Sequence, residues 1–258
     1  MSELRHGDFT ELAEDYALYR PGYSPLVLDA LLGLAAPVGG KRLRFADVGA
    51  GTGIWTRMVA AHGAESWAVE PNDEMRRHGE AQSREAGVRW LAGSAEATGL
   101  PSGNFDLVTM ASSFHWPDFD QAVDEFRRVL RPGGVFCALW NTRFIEANPL
   151  LVDIEEYLKN LVPDMKRVSS GRSEFCAGLT QRLLDCGRFS DVLYLEGRHV
   201  ELQSPERYLG LWRSVNDVRV QAGPERFQRF LDHIEQVTRG MRHIEATYLT
   251  RAWAARRA

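Results

Sequence analysis

An acid followed by three glycines at alternate positions, Asp47-Val48-Gly49-Ala50-Gly51-Thr52-Gly53, constrains this chain more than any other feature. The apolar run from Leu43 leads into it, and Ile54, Met58, Val59 and Ala61 after it are spaced for one helical face. Strand, tight glycine turn and helix let a nucleotide-like ligand approach bare backbone at a helix N-terminus. A dinucleotide fingerprint wants Gly-x-Gly-x-x-Gly, its third glycine packing helix on strand. Here the third glycine arrives one residue early, and Ile54 holds the dinucleotide position.

The residues downstream extend the pattern. Ser66 to Val69 is a second apolar run, ending in Glu70-Pro71-Asn72. A carboxylate at that strand tip can accept both hydroxyls of a ribose; the alternative is a solvated strand-end acid or a cap for the helix starting near Asp73. Val88 to Ala92 reads as a short strand running into the polar loop Gly93-Ser94-Ala95-Glu96, and Phe105 to Ala111 as a strand buried on both faces. Phe126 to Gly134 ends a helix with basic residues and a Pro-Gly-Gly stop, and Val135 to Trp140 begins another buried strand.

Taken in order, Asp47 to Gly53, Ala68 to Pro71, Gly93 to Pro101, Asn104 to Asp106 and Val129 to Gly134 resemble the core of class I S-adenosylmethionine (SAM) methyltransferases of the group called type 11. Tyr16-Ala17-Leu18-Tyr19-Arg20-Pro21-Gly22-Tyr23 and Ala111-Ser112-Ser113-Phe114-His115-Trp116 look like the branch that includes trans-aconitate-type methyltransferases. The resemblance implies SAM as cofactor, S-adenosylhomocysteine as product and no metal. It implies a small-molecule acceptor, of a carboxylate-containing or secondary-metabolite kind. The Asn/Asp-Pro-Pro-aromatic tetrad of many nucleic-acid-methylating relatives is replaced by Ser113-Phe114-His115-Trp116. A rival reading is a SAM-binding enzyme of the same fold that catalyses another reaction, such as cyclisation.

Alternating strands and helices predict an α/β, doubly wound, Rossmann-like and mostly parallel sheet. Strands are expected near 43–47, 65–70, 88–92, 105–111, 134–141, 189–202 and 243–254, seven in all, and the resemblance makes the last one antiparallel. Helices are expected over about 10–19, 24–35, 52–62, 73–86, 118–130, 150–161, 176–186, 205–220 and 224–239. One domain over 1–258 then divides into N-terminal lid helices (1–36), a SAM-binding core (37–141), a helical insertion on the acceptor side (142–187) and a C-terminal part of sheet and helices (188–258). With 258 residues and 44% apolar content, the chain can bury one sizeable core. A net charge of −4 argues against a nucleic-acid surface. The three cysteines, Cys137, Cys176 and Cys186, lack paired metal spacing, which reads as a reduced cytoplasmic protein. Met1 to Arg20 has no long apolar region, against a signal peptide, and no window reaches the length of a membrane span. Oligomeric state is not readable.

Ligands in such sheets lie beyond the carboxyl ends of the strands. The resemblance therefore assigns cofactor binding to Tyr16, Tyr19, Arg20, Asp47, Gly49, Ala50, Gly51, Gly53, Glu70, Pro71, Ser94, Ala95, Glu96 and Ser112. Ser94 stands where many relatives have Asp, and Glu96 could equally serve a helix start. His115 is the candidate base, or a positioning group, since imidazole titrates near working pH. With Trp116, Trp140, Asn141 and Arg143 it is expected to face the acceptor. Arg172, Trp212 and Arg213 are further acceptor-side candidates, and Trp212, Phe227 and Phe230 could be core or a dimer face.

Overall fold

The computed structural model describes residues 13–166 and 174–258. Part of the leader and of the polar stretch after Lys166, Arg172 included, therefore lies outside the described residues. Two helices, α1 (Ala13–Tyr19) and α2 (Pro25–Ala35), precede a run of alternating elements: β1 (Arg44–Val48), α3 (Ile54–Ala60), β2 (Glu65–Val69), α4 (Asp73–Ser83), β3 (Arg89–Leu91), β4 (Phe105–Ala111), α5 (Phe119–Val129) and β5 (Leu130–Arg143). A 3-10 turn at Ile145–Ala147 leads to α6 (Pro149–Leu161), α7 (Glu174–Ala177), α8 (Leu179–Asp185), β6 (Phe189–Gln203), α9 (Pro205–Arg213), α10 (Asn216–Thr238) and β7 (Ile244–Arg257).

The seven strands form one sheet in the order β3-β2-β1-β4-β5-β7-β6. Strands β1 to β5 pair parallel, while β7 runs antiparallel to both β5 and β6, so the expected mixed sheet is found. The central strands are largely apolar because alternate side chains serve two separate cores. Along β5, Val135, Cys137 and Leu139 pack with α2 and α3, and Phe136, Ala138 and Trp140 pack with α5 and α8 on the other face. A third core lies among α6, α9, α10 and the first half of β7, where Leu151, Ile154, Trp212 and Phe230 meet Tyr248. Trp212, Phe227 and Phe230 are all buried there, which makes them core.

Local sequence explains the element ends. Asp118 caps α5 by accepting the Gln121 N–H at 2.9 Å, and Asn72 caps α4 by accepting that of Met75 at 3.0 Å. Helix α5 presents Ala122, Val123, Phe126 and Val129 to the core, with Arg127 and Arg128 complementing its C-terminal dipole. The helix expected over 205–220 is broken at Ser214 and Val215. There the Arg20 guanidinium takes the Ser214 carbonyl and hydroxyl, both at 2.9 Å, a tertiary contact with no local signature. Gly223, at φ 71°, lets α10 kink before Pro224, which cannot continue an unbroken helix. Removing the fully buried Phe126 ring, stacked on Phe136 at 4.8 Å, leaves a cavity in the α5–sheet interface. Phe126→Ala should cost about 3–5 kcal/mol of unfolding free energy, measured as a lowered urea midpoint at unchanged m-value.

Candidate functional site

A cavity of about 490 Å³ opens beyond the carboxyl ends of β1, β2 and β4. It sits where the sheet grows in two directions from β1, the switch point at which open α/β sheets take ligands. Its floor is the glycine turn. The N–H groups of Gly49 and Ala50 both donate to the Val69 carbonyl, at 2.8 and 3.1 Å, which ties the end of β1 to the end of β2. Gly49 has φ 64°, and a Cβ there would fall 2.8 Å from the Ser113 hydroxyl, so backbone conformation and space both demand glycine. Gly53, at φ 76°, starts α3 in a left-handed conformation and faces the Trp90 ring rather than the cavity.

Glu70 lines the cavity beside the turn. Its Oε2 accepts the Gly51 N–H at 2.8 Å and its Oε1 the Asn72 N–H at 2.9 Å. Burial pushes its carboxyl above the ordinary range, opposed by those two donors and by Arg76. Asp47 lies beneath the turn and outside the cavity lining. It accepts the hydroxyls of Thr56 at 2.6 Å and Thr109 at 2.9 Å. Those two partners, on α3 and β4, hold its carboxyl away from the cavity. Thr52, which the sequence did not single out, lines the cavity with a buried hydroxyl that has no hydrogen-bond partner among the described residues.

Pro71, Ser94, Ala95 and Glu96 form one wall. Glu96 also accepts the Asp118 N–H at 3.0 Å. Burial opposes its ionisation, yet hydrogen bonds from Ser94, its own backbone and Asp118 hold its carboxyl below the usual value. The leader also lines the cavity, with Tyr16, Arg20, Pro21 and Tyr23. Tyr23 and Ser112 share a hydrogen bond of 3.0 Å between hydroxyls, and Ser112 holds an unusual φ of 58° for a non-glycine residue. Asn216 and Asp217, at the start of α10, complete the rim and have no local sequence signal.

Several expected residues stand elsewhere. Tyr19 packs against Gly210 of α9 instead of lining the cavity. Trp140 and Asn141 are neighbours on a strand and so point to opposite faces. Asn141 lines the cavity, donating to the Gly22 carbonyl at 2.7 Å, while Trp140 is buried with Phe175 and Trp253. Arg143 is held by Glu155 at 3.1 Å and lies 3.9 Å over the Trp212 ring, sealed under α6. None of the described residues of 142–187 lines the cavity, because α6 packs on α9 and α10. Trp116 lines it and stays 46% exposed at the mouth. His115 lies behind it, its ring 4.6 Å from Trp116, with Nδ1 accepting the Trp140 indole N–H at 3.4 Å. Burial lowers its pKa to about 4. Among the described residues no cluster of three His, Cys, Asp or Glu could hold a metal, and no helix is long and apolar enough to cross a membrane.

Residues 46–138 match a family model described as a methyltransferase domain. An uncharacterised methyltransferase of Mycobacterium tuberculosis is 38% identical over 128 residues, 50% of this chain and 49% of that protein. A ubiquinone/menaquinone biosynthesis C-methyltransferase of Methylobacterium nodulans is 38% identical over 117 residues, 43% of this chain and 46% of its own length. The chain thus spans about half the length of the curated relatives it matches. The structure of a protein from Anaeromyxobacter dehalogenans named as a type II methyltransferase superposes with a TM-score of 0.71 at 23% identity, covering 92% of this chain and 98% of that one. That likeness shows the fold, a Rossmann-like mixed sheet flanked by helices.

Burial raises the Asp47 pKa to about 7, against the lowering effect of the two threonine hydroxyls. The folded state therefore holds a proton that the unfolded chain releases above its ordinary value of 3.8. The stability this gives is complete below that value and is lost as pH rises through about 7. Urea unfolding of the wild type should show stability falling between those limits, and Asp47→Asn should flatten that slope.

Proposed function

We propose that this chain is a SAM-dependent methyltransferase acting on a small-molecule acceptor. The observation that carries the reading is the charge of the cavity. Glu70, Glu96 and Asp217 line it against a single guanidinium, Arg20, among the described residues. Such a lining favours a cationic ligand over a pyrophosphate. The glycine spacing points the same way, and so does the match of residues 46–138 to a methyltransferase domain.

The residues present fit SAM. The buried, unpartnered Thr52 hydroxyl and the bare backbone at Gly49 to Gly51 leave room and donors for its amino-acid end. Glu70 still has lone pairs for the two ribose hydroxyls after accepting from Gly51 and Asn72. Pro71, Ser94, Ala95 and Glu96 form the wall for the adenine. Bound SAM supplies an activated methyl group on a sulfonium. The protein's part is to hold the acceptor in line and exclude water. Tyr16, Tyr23, Trp116, Asn216 and Asp217 enclose the acceptor end, which suits a small molecule. His115 acts there by position. An Nδ1 that accepts from Trp140 leaves the ring proton on Nε2, and its low pKa makes the imidazole a weak base. The finer kinship with the trans-aconitate branch rests on Tyr16 to Tyr23 and Ala111 to Trp116.

Thermal unfolding with SAM, S-adenosylhomocysteine and NAD in parallel tests the cofactor. At about a hundred times its dissociation constant a ligand adds ~2.7 kcal/mol, so SAM and S-adenosylhomocysteine should raise the Tm by several degrees and NAD should not. A shift with NAD alone, or with none of the three, removes the reading. Glu70→Ala should weaken S-adenosylhomocysteine by about 10- to 150-fold in calorimetric titration, the loss of hydrogen bonds to a charged group. Transfer of labelled methyl from SAM across a panel of hydroxyl, amine, carboxylate and enol acceptors then identifies the acceptor class. His115→Ala should keep the pH dependence of that transfer.

A further inference from the structure

Strand β6 is the outer edge of the sheet: among the described residues it pairs only with β7. It spans 15 residues, against about 5–6 for an average strand, and so offers a long row of unpaired backbone groups. A bulge between Ser190 and Leu193, with Asp191 at φ 49°, blunts its first residues. Beyond the bulge, the even-numbered side chains from Tyr194 to Leu202 stand exposed on one face, with Tyr194 at 48% and Val200 at 47%. The odd-numbered face is covered: Gly197 touches Ser24 and Val27 of the leader, and His199 holds the Gly22 carbonyl.

We propose that this edge joins a second copy of the chain, β6 against β6, to make a continuous fourteen-stranded sheet across a two-fold axis through Gly197. Two geometric rules select that register. A two-fold between antiparallel edge strands stands perpendicular to the sheet and must keep like faces together, so it passes through a residue and never between two. Centring it on Gly197 sets Glu196 opposite the partner copy's Arg198, and the reverse by symmetry. It also sets Tyr194 opposite Val200. No like charges then face each other. Centring on Glu196 or Arg198 opposes two like charges, and centring on Leu195 or His199 sets Glu196 and Arg198 against uncharged partners. Directly opposed side chains lie about 4.5–5.5 Å apart, close enough for the charge pair and the aromatic–β-branched pair to form. Glu196 already accepts from Arg251 and from the Tyr194 hydroxyl, both at 2.7 Å, so the partner's Arg198 would extend an ordered network. Glycine at the centre lets the leader helix lie close on the sheet at the axis, where a side chain would strike Ser24.

Sedimentation velocity of the full chain over a wide concentration range tests this. The wild type should approach twice its 29.1 kDa chain mass as concentration rises. Arg198→Glu places Glu opposite Glu at two symmetric positions and should weaken the dimer by about tenfold or more. Val200→Lys, at an exposed position where folding is not at stake, should do the same by breaking the apolar pair. Combining Arg198→Glu with Glu196→Arg should restore the dimer, and mixing the two single variants should give a heterodimer. Circular dichroism and Tm report whether each variant is folded. A wild type that stays monomeric overturns the proposal, as does a dimer indifferent to both Arg198→Glu and Val200→Lys. Loss in the single variants without rescue by the charge swap overturns the register through Gly197.

Discussion

The convergence of two backbone N–H groups, of Gly49 and Ala50, on the Val69 carbonyl is the contact on which the site depends. It forces the chain leaving β1 to bend flat across the end of β2, and a flat bend at positive φ admits no side chain at Gly49. The space so cleared is filled from the side by Ser113, whose hydroxyl reaches the Val48 carbonyl at 3.3 Å. The Glu70–Gly51 hydrogen bond closes the same bend from the other side. Three strand ends are thereby fastened to one another before any ligand arrives, and a floor of that kind needs no reorganisation on binding.

The part of the cavity lining that the leader supplies has a different support. The leader carries almost no core of its own on α1, and its polar contacts run outward to the C-terminal half of the sheet. Gly22 is held by Glu201, Asn141 and His199, Ser24 donates its N–H to Thr250, and Arg20 grips Ser214. Glu201, Asn141, His199 and Thr250 are within reach because β5, β6 and β7 are long, at 14, 15 and 14 residues against five for β1, while Ser214 lies between α9 and α10. Each hydrogen bond contributes only about 1 kcal/mol net. Packing adds to them, since Tyr23 meets the Trp55 ring edge-on at 5.3 Å within the core beneath α2 and α3.

The sheet and the floor were legible because their signals are local. Asp47 to Gly53, Glu70 and the loop after Leu91 carry turn, strand-end and spacing information within a few residues, and the buried strands announce themselves by apolar runs with few breaks. What could not be read depends on distant chain. Arg143 looked like an acceptor contact, but Glu155 and Trp212 claim it from two other helices. Tyr19 looked like Tyr16, yet the absent side chain at Gly210 draws it away from the cavity. Asn216 and Asp217 reach the rim only because Arg20 breaks the preceding helix at Ser214. Trp140 is the exception. Strand alternation alone opposes it to Asn141, and the period-two rule was available from the sequence.

The arrangement of charge explains why the floor can be both buried and acidic. Burial raises both the Asp47 and Glu70 carboxyls above their ordinary values, and the Glu70 charge adds to the rise at Asp47. Two threonine hydroxyls offset part of that cost for Asp47, and two backbone N–H groups and Arg76 do so for Glu70, but neither has a full opposing charge at contact distance within its hydrogen bonds. A cation arriving above the glycine turn would relieve this strain, so stability withheld from the unliganded fold becomes affinity for a positively charged ligand. For the methyl transfer proposed above, burial disfavours a charged His115 and Trp140 engages its Nδ1, which suits a reaction that relies on alignment and exclusion of water.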